Sequence, residues 1–185
     1  MLLALGPLQL DTASRTVVVG LADRLHDPTL AGADAAWLAA PTADRVAALA
    51  GAGLPVGVTV ADVAMLPELV HAGAVAVAGP EDDVVDAAAD LALTLWCSSA
   101  QAAHAATVGV PPDRVVCEPG DPGTAPVAGT TVEGEGPAAW GQVVRHVLAG
   151  ARVVRTQDVA SVRRVVTVLD RLAAARGAGP QVASP

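Results

Sequence analysis

Arg155 is the residue whose position most directly suggests chemistry. It lies near the end of the apolar run "ARVVRT" (151–156), just before Gln157 and Asp158. Because Asp is a preferred helix N-cap, the run is predicted to be a buried strand followed at once by a helix. A guanidinium beside the first amides of a helix is suited to bind an anion. The structural alternative is a salt bridge with Glu118 or Asp158.

Other candidate groups lie after predicted strands. Glu118, in "CEPG", is a carboxylate that could bind a substrate or simply pair with Arg155. The loop "ADRLHDP" places Asp23, His26 and Asp27 close together, as a metal or acid/base site would require, although a solvated loop is the simpler interpretation.

Four further side chains have mainly structural interpretations. Cys97 and Cys117 end neighbouring predicted strands, but two thiols without companion ligands make a poor zinc site, so no metal is predicted. Trp37 and Trp96 lie near strand ends, where they would belong to the core or line a pocket.

The composition narrows the classes of protein. The chain has 185 residues, enough for one domain, and is 52% hydrophobic but only 2% aromatic, so its core must be Val, Leu and Ala. It contains no Lys, Asn, Ile, Phe or Tyr. A net charge of −8 argues against nucleic acid as a partner. No apolar stretch is long enough for a membrane span, and the start lacks the positive flank of a signal peptide, so we expect a cytoplasmic protein without membrane contact.

Apolar runs alternate with helical patterns along the chain. The predicted strands are 16–21, 34–39, 55–60, 74–79, 91–96, 114–119 and 151–156, and the predicted helices are 42–51, 61–72, 81–89, 98–107, 137–149 and 158–175. Near-continuous apolar runs are typical of parallel strands covered on both faces. The repeated βα order therefore predicts an α/β fold with parallel strands and outer helices, a (β/α) barrel of the TIM type.

Two connections look too short for this barrel. Residues 22–33 have room for only one or two helical turns, and the Gly- and Pro-rich stretch between Pro119 and Pro137 has room for one short strand, 126–132, but no helix. Since a parallel crossover usually needs a dozen or more residues, we expect the barrel to be shortened, irregular or open there. The predicted domain spans 1–177, and 178–185 is predicted to be a disordered tail.

Several segments resemble the dihydropteroate synthases, the pterin-binding TIM barrels of folate synthesis. "GARVVRTQDVASVRRVVTVLDRL" is similar to the family's last strand and helix, which begin Arg-x-His-Asp-Val, and it keeps Arg155 and Asp158. "LPVGVTVADVAMLPELVHAGAVAV" is similar to the third strand, third helix and fourth strand. "GVPPDRVVCEPG" resembles the stretch before the family's Asp-Pro-Gly, and "LGPLQLD…RTVVVG" fits the approach to its first strand.

The resemblance also shows what this chain lacks. At the family's pterin-binding Asp and Asn stand Thr59 and Ala78, its sixth-strand Asp is replaced by Glu118, and its final His by Gln157. The Asn-containing motif of the first loop and the Ser-Arg-Lys motif of the seventh strand are excluded, because the chain has no Asn and no Lys. By this resemblance, Arg155, Glu118, Gln157 and Thr59 are the expected substrate- or anion-binding residues.

Three functions are consistent with these features. The resemblance implies a folate-pathway protein that binds a pterin or phosphate ligand with weak or no synthase activity, without a cofactor except Mg²⁺ if a diphosphate is bound. A second interpretation is a non-catalytic subunit, either a homodimer or the partner of a related synthase, that covers the gap between the sixth and last strands. A third is a different enzyme on the same barrel, using Asp23, His26, Glu118 and Arg155.

Overall fold

The fold is a closed barrel of eight parallel strands. A computed structural model describes residues 2–22, 30–118 and 127–177. The barrel strands are β3 (Val17–Leu21), β4 (Ala35–Leu38), β5 (Val56–Thr59), β6 (Ala74–Ala78), β7 (Thr94–Cys97), β8 (Val115–Cys117), β9 (Val127–Val132) and β10 (Val153–Thr156). They follow one another in chain order around the barrel, and β10 closes it by pairing with β3. The predicted TIM-type α/β fold is confirmed.

The α-helices lie around the barrel. They are α1 (Ala43–Gly51), α2 (Leu66–His71), α3 (Asp83–Asp90), α4 (Ser99–Val108), α5 (Pro137–Leu148) and α6 (Val159–Gly177). Each coincides with a predicted helix, although the one predicted at 61–72 begins with a short 3-10 turn over Val63–Met65. None of the helices in the described ranges is long and apolar enough to cross a membrane.

The barrel is short and closed, so of the alternatives expected at the two short connections, the open barrel was wrong. The short strand predicted at 126–132 is β9, which pairs with β8 on one side and with β10 on the other. The expected gap between the sixth and last predicted strands is therefore filled. A dozen-residue crossover is not needed because β8 has only three residues, about 10 Å. Val127, the first residue of β9, comes only ten residues after Cys117, the last of β8, so a shorter connection than usual suffices here.

A hairpin that the sequence did not predict closes the amino-terminal end of the barrel. It consists of β1 (Leu2–Leu5) and β2 (Leu8–Asp11), which pair antiparallel. Leu3, Leu5 and Leu10 are buried in the same cluster as the barrel's inward side chains. The Thr94 hydroxyl donates a hydrogen bond to the Ala4 carbonyl and so ties the hairpin to β7. The opposite end of the barrel is left for a site.

The helix layer is held to the barrel by apolar packing and by one polar anchor. Outward side chains of the strands pack with the helices in two clusters made largely of Val, Leu and Ala, as the composition predicted. The Asp170 carboxylate on α6 accepts hydrogen bonds from the amide and hydroxyl of fully buried Thr16, at 2.8 and 2.9 Å. This anchor fixes the last helix beside the start of β3.

Candidate functional site

The candidate site is a layer of inward side chains at the carboxyl ends of the strands. Arg155 lies on β10, Thr131 on β9, and Glu118 directly follows β8. Trp37 on β4 and Trp96 on β7 complete the layer. Strand-end positions place these side chains at the face where TIM-barrel sites occur.

Arg155 is held on three sides. Its Nε and Nη2 donate to the Thr131 hydroxyl oxygen at 3.0 and 2.7 Å, and Nη2 also donates to Glu118 Oε1 at 3.1 Å. Its guanidinium carbon lies 3.9 Å from the centre of the Trp96 ring and 4.7 Å from that of Trp37, both within cation–π range. Among the described residues, Nη1 has no hydrogen-bond partner and is the part of the guanidinium left for a ligand.

One carboxylate oxygen of Glu118 accepts hydrogen bonds from three other side chains of this layer. Its Oε1 accepts hydrogen bonds from Trp96 Nε1 at 3.1 Å, from the Thr131 hydroxyl at 2.9 Å and from Arg155. Oε2 has no such partner in the described ranges, and the side chain is 48% exposed, against 12% for Arg155. Burial lowers the pKa of Arg155, and the charge and hydrogen bond of Glu118 partly oppose this. Arginine is not deprotonated in proteins, so the guanidinium of Arg155 is a cation at this mouth.

The two indoles fill the barrel beneath Arg155. Trp37 and Trp96 are 4% and 5% exposed and meet edge to face, with ring centres 5.8 Å apart. Two inward glycines make room for them. A Cβ on Gly57 would lie 2.1 Å from Cε3 of Trp37, and one on Gly129 would lie 2.8 Å from Cη2 of Trp96. No side chain larger than hydrogen fits at either position while the rings stay in place.

Two open clefts flank this filled centre. The first, an open cleft of about 1000 Å³ including solvent, lies between Glu118, Ser98 before α4, and Gly79 with Pro80 after β6. The second, about 900 Å³, is lined by Glu133 and Gln157 among others. Both clefts reach Arg155 and Thr59, so a ligand in either would meet the Arg155 guanidinium.

The structure brings together some predicted site residues. Arg155 and Glu118 form the salt bridge proposed as the structural alternative, whereas Asp158 caps α6 and accepts a hydrogen bond from Trp140. Asp23, His26 and Asp27 lie outside the described residues.

Thr59 and Gln157 border the clefts without touching that pair. Thr59 accepts a hydrogen bond from Trp37 Nε1 at 2.9 Å, so its hydroxyl is engaged by the protein itself. Gln157 is exposed at the wall of the second cleft. Both remain candidate binding residues.

Sequence reasoning missed Thr131 and the central position of the two indoles. Thr131 belongs to the short strand whose pairing closes the barrel, so its role depends on that closure. The available signal for the indoles was glycine inside predicted strands, since Gly57 and Gly129 mark places where another group approaches the backbone closely.

The described residues do not form a divalent-metal site at the mouth. Of those lining the two clefts, only Glu118 and Glu133 carry carboxylates, and they line different clefts. Within the described ranges, no group of three or more His, Cys, Asp or Glu residues is placed to hold a metal ion. The side chains of this part of the mouth therefore supply too few oxygen ligands to hold Mg²⁺ by themselves.

These features define the class of protein as an eight-stranded parallel α/β barrel of the TIM type, with polar clefts at the carboxyl ends of its strands. Among solved structures, the chain is similar to dihydropteroate synthase of Burkholderia cenocepacia complexed with 7,8-dihydropteroate, with a TM-score of 0.78 and 17% identity over 95% of this chain and 97% of that one. It is also similar to the synthase of Yersinia pestis in complex with a pterine-sulfa conjugate (TM-score 0.70, 16% identity, 94% and 100% coverage) and to that of Vibrio fischeri (0.74, 12%, 97% and 100%).

These comparisons confirm the predicted resemblance at the level of the fold. No protein-family model and no curated protein sequence matches the chain. At identities of 12–17%, the likeness to the three structures shows the fold alone, because a fold does not determine the chemistry. The function must therefore be argued from the residues at the barrel mouth.

Proposed function

We propose that this protein is a non-catalytic relative of the dihydropteroate synthases that binds a pterin or phosphate compound weakly at the barrel mouth. The observation that carries the proposal is the Arg155–Glu118 pair at the carboxyl ends of β10 and β8, in which one guanidinium nitrogen and one carboxylate oxygen have no hydrogen-bond partner in the described ranges. The fold supports the relationship, and the solved relatives named above include pterin complexes.

Loss of catalysis follows from the groups that the chain lacks. The resemblance implies a reaction in which the amine of p-aminobenzoate displaces diphosphate from a pterin. Such a displacement needs several cations or donors on the leaving group. The chain has no Lys, and Nε and Nη2 of Arg155 already donate hydrogen bonds to Thr131 and Glu118. A single partly engaged guanidinium can bind an anion but stabilises a leaving diphosphate poorly.

Weak binding is expected because most hydrogen-bond acceptors at the mouth already have protein donors. A pterin edge carries several ring donors and acceptors, and each one left unpaired on burial costs about 1–3 kcal/mol. Thr59 is engaged by Trp37, and Glu118 Oε1 already accepts three hydrogen bonds. The charged acceptors left in the described part of the mouth are Glu118 Oε2 and the Glu133 carboxylate, and they line different clefts.

The test is calorimetric titration with pterin, pterin diphosphate and pyrophosphate. We expect weak binding of at least one compound by the wild type, lost in Arg155→Ala and retained in Arg152→Ala. Arg152 is a matched control because it precedes the same strand at its opposite end. Absence of binding by the wild type, or equal binding by both variants, would contradict the proposal.

A second candidate function, self-association, rests on exposed apolar side chains of α5 and α6. Leu148, Val168 and Leu172 are 67%, 56% and 52% exposed, and the last two lie four residues apart on one face of α6. This surface replaces the gap in the barrel as the basis for a homodimer or a complex with a related synthase, because the gap is closed.

Sedimentation equilibrium separates the two candidates. A dimer that dissociates in Leu172→Glu, but not in a Glu substitution of exposed Ala174, would support the interface. A monomer at all concentrations would exclude the homodimer.

A further inference from the structure

We infer that Trp37 and Trp96 determine the ligand specificity of this barrel, because their indoles occupy the space a planar ring would need inside it. The inference deepens the proposed function: it assigns the ligand to the rim, in the flanking clefts, with any ring system outside the barrel axis.

The first support is packing. Each indole lies against an inward glycine, and the two rings contact each other edge to face at the centre of the barrel. Arg155 covers both rings from the mouth, 3.9 and 4.7 Å from their centres. Below the rings, the hairpin leucines and the remaining inward side chains leave an apolar cavity of about 20 Å³, which is too small for a ring. A ring can enter only if an indole leaves.

The second support is hydrogen bonding. The only polar atom of each indole, its N–H, has found a partner: Trp37 donates to Thr59, and Trp96 donates to Glu118. Neither ring therefore gains a hydrogen bond by moving out, and each would break its cation–π contact with Arg155. The indoles act as permanent internal occupants, and the acceptors beneath Arg155 are committed to them.

The consequence is that removing one indole should create a site for a planar bicyclic ring. Trp96→Ala would vacate a space bounded by the Trp37 ring, Gly129 and the Arg155 guanidinium, with Glu118 Oε1 freed to accept from a ring N–H. Cavities made by truncating buried side chains bind small aromatic molecules of matching size. Indole is the matching probe, because it is the ring system that the substitution removes.

The experiment measures binding of indole and of pterin by calorimetry to the wild type, Trp96→Ala, Trp37→Ala and Trp140→Ala, each checked for a cooperative thermal transition. Trp140 is the matched control because it is the remaining Trp and lies on α5, away from the barrel interior. We expect indole to bind either interior variant at least tenfold more tightly than it binds the wild type or Trp140→Ala. Trp96→Ala should likewise bind pterin more tightly than the wild type or Trp140→Ala does.

Two results would overturn the inference. One is wild-type protein that binds indole or pterin as tightly as the interior variants. The other is folded interior variants that bind no ring. If Trp96→Ala fails to fold, Trp96→Leu makes the same test with a smaller loss of packing, and Trp37→Ala tests the other indole. Binding of indole to the variants does not depend on anion binding by Arg155. If the proposed function fails, the wild type will show no Arg155-dependent binding of pterin diphosphate or pyrophosphate, and the indole result will be unaffected.

Discussion

Replacing Gly57 by Ala tests the packing at the barrel centre with a single added methyl group. The new Cβ would lie 2.1 and 2.3 Å from Cε3 and Cζ3 of Trp37, whereas ordinary contacts are 3.4–4 Å, so the ring must retreat by more than 1 Å. Trp96 and Arg155 stand against Trp37 and limit this movement. Overpacking of this kind costs about 1–3 kcal/mol.

The backbone effect of the same substitution has the opposite sign. Gly57 does not have a positive φ, so Ala fits its backbone and stabilises by about 0.4–1 kcal/mol through the unfolded chain. We therefore expect a net loss of about 1–2 kcal/mol in the free energy of unfolding. Gly141→Ala, in the interior of α5 with open space around its Cβ, is the control and should stabilise by about 0.5–1 kcal/mol.

The assay is equilibrium denaturation in urea of the wild type, Gly57→Ala, Trp37→Ala and the double variant. With the indole removed, the added methyl group has space, so Gly57→Ala should cost nothing or stabilise in the Trp37→Ala background. A cost of the same size in both backgrounds would refute the reasoning, because it would show that the Trp37 ring does not set the limit at Gly57.

Three further predictions concern individual polar groups. Thr131→Val should lower the free energy of unfolding by about 1–2 kcal/mol, because the hydroxyl accepts from Arg155 and donates onward; an unchanged urea midpoint would contradict this network. Burial, and next its neighbouring thiol, raise the pKa of Cys97 from 9.0 to about 12, so the folded protein keeps a proton that the unfolded chain loses above pH 9. Stability should therefore fall by about 1.4 kcal/mol between pH 7 and 10, and this loss should be absent in Cys97→Ala; equal slopes in both proteins would be inconsistent with that shift. Asp170→Ala should destabilise by about 1–3 kcal/mol, since two donors of buried Thr16 lose their acceptor, whereas Asp170→Asn should recover part of the loss; thermal melts of the two variants decide it.

Most of the barrel could be predicted because each element leaves a local pattern. The strand runs are almost entirely Val, Ala and Leu, and the helix of residues 159–177 has its apolar residues at helical spacing. The hairpin at residues 2–11 could not be predicted in this way. Its leucines are buried only because the barrel has an open end to close, which is a property of the assembled sheet.

The charged pair of the candidate site could be predicted from the sequence, but the two indoles at its centre could not. Arg155 and Glu118 each follow an apolar strand run, and parallel strands end on the same face, so their meeting could be inferred from the sequence. Which way Trp37 and Trp96 point depends on strand register and on closure through β9, and neither is encoded locally. The loop residues Asp23, His26 and Asp27 stay a prediction.

The most direct test of whether this barrel is a synthase is a product assay. The wild-type protein is incubated with pterin diphosphate, p-aminobenzoate and Mg²⁺, and dihydropteroate is quantified by chromatography against the Burkholderia cenocepacia synthase as a positive control. The indoles occupy the barrel centre, the described part of the mouth holds one partly engaged arginine, and the chain has no lysine. We therefore expect no product above the enzyme-free blank. Sustained turnover that is lost in Arg155→Ala would contradict it and show that the site is catalytic.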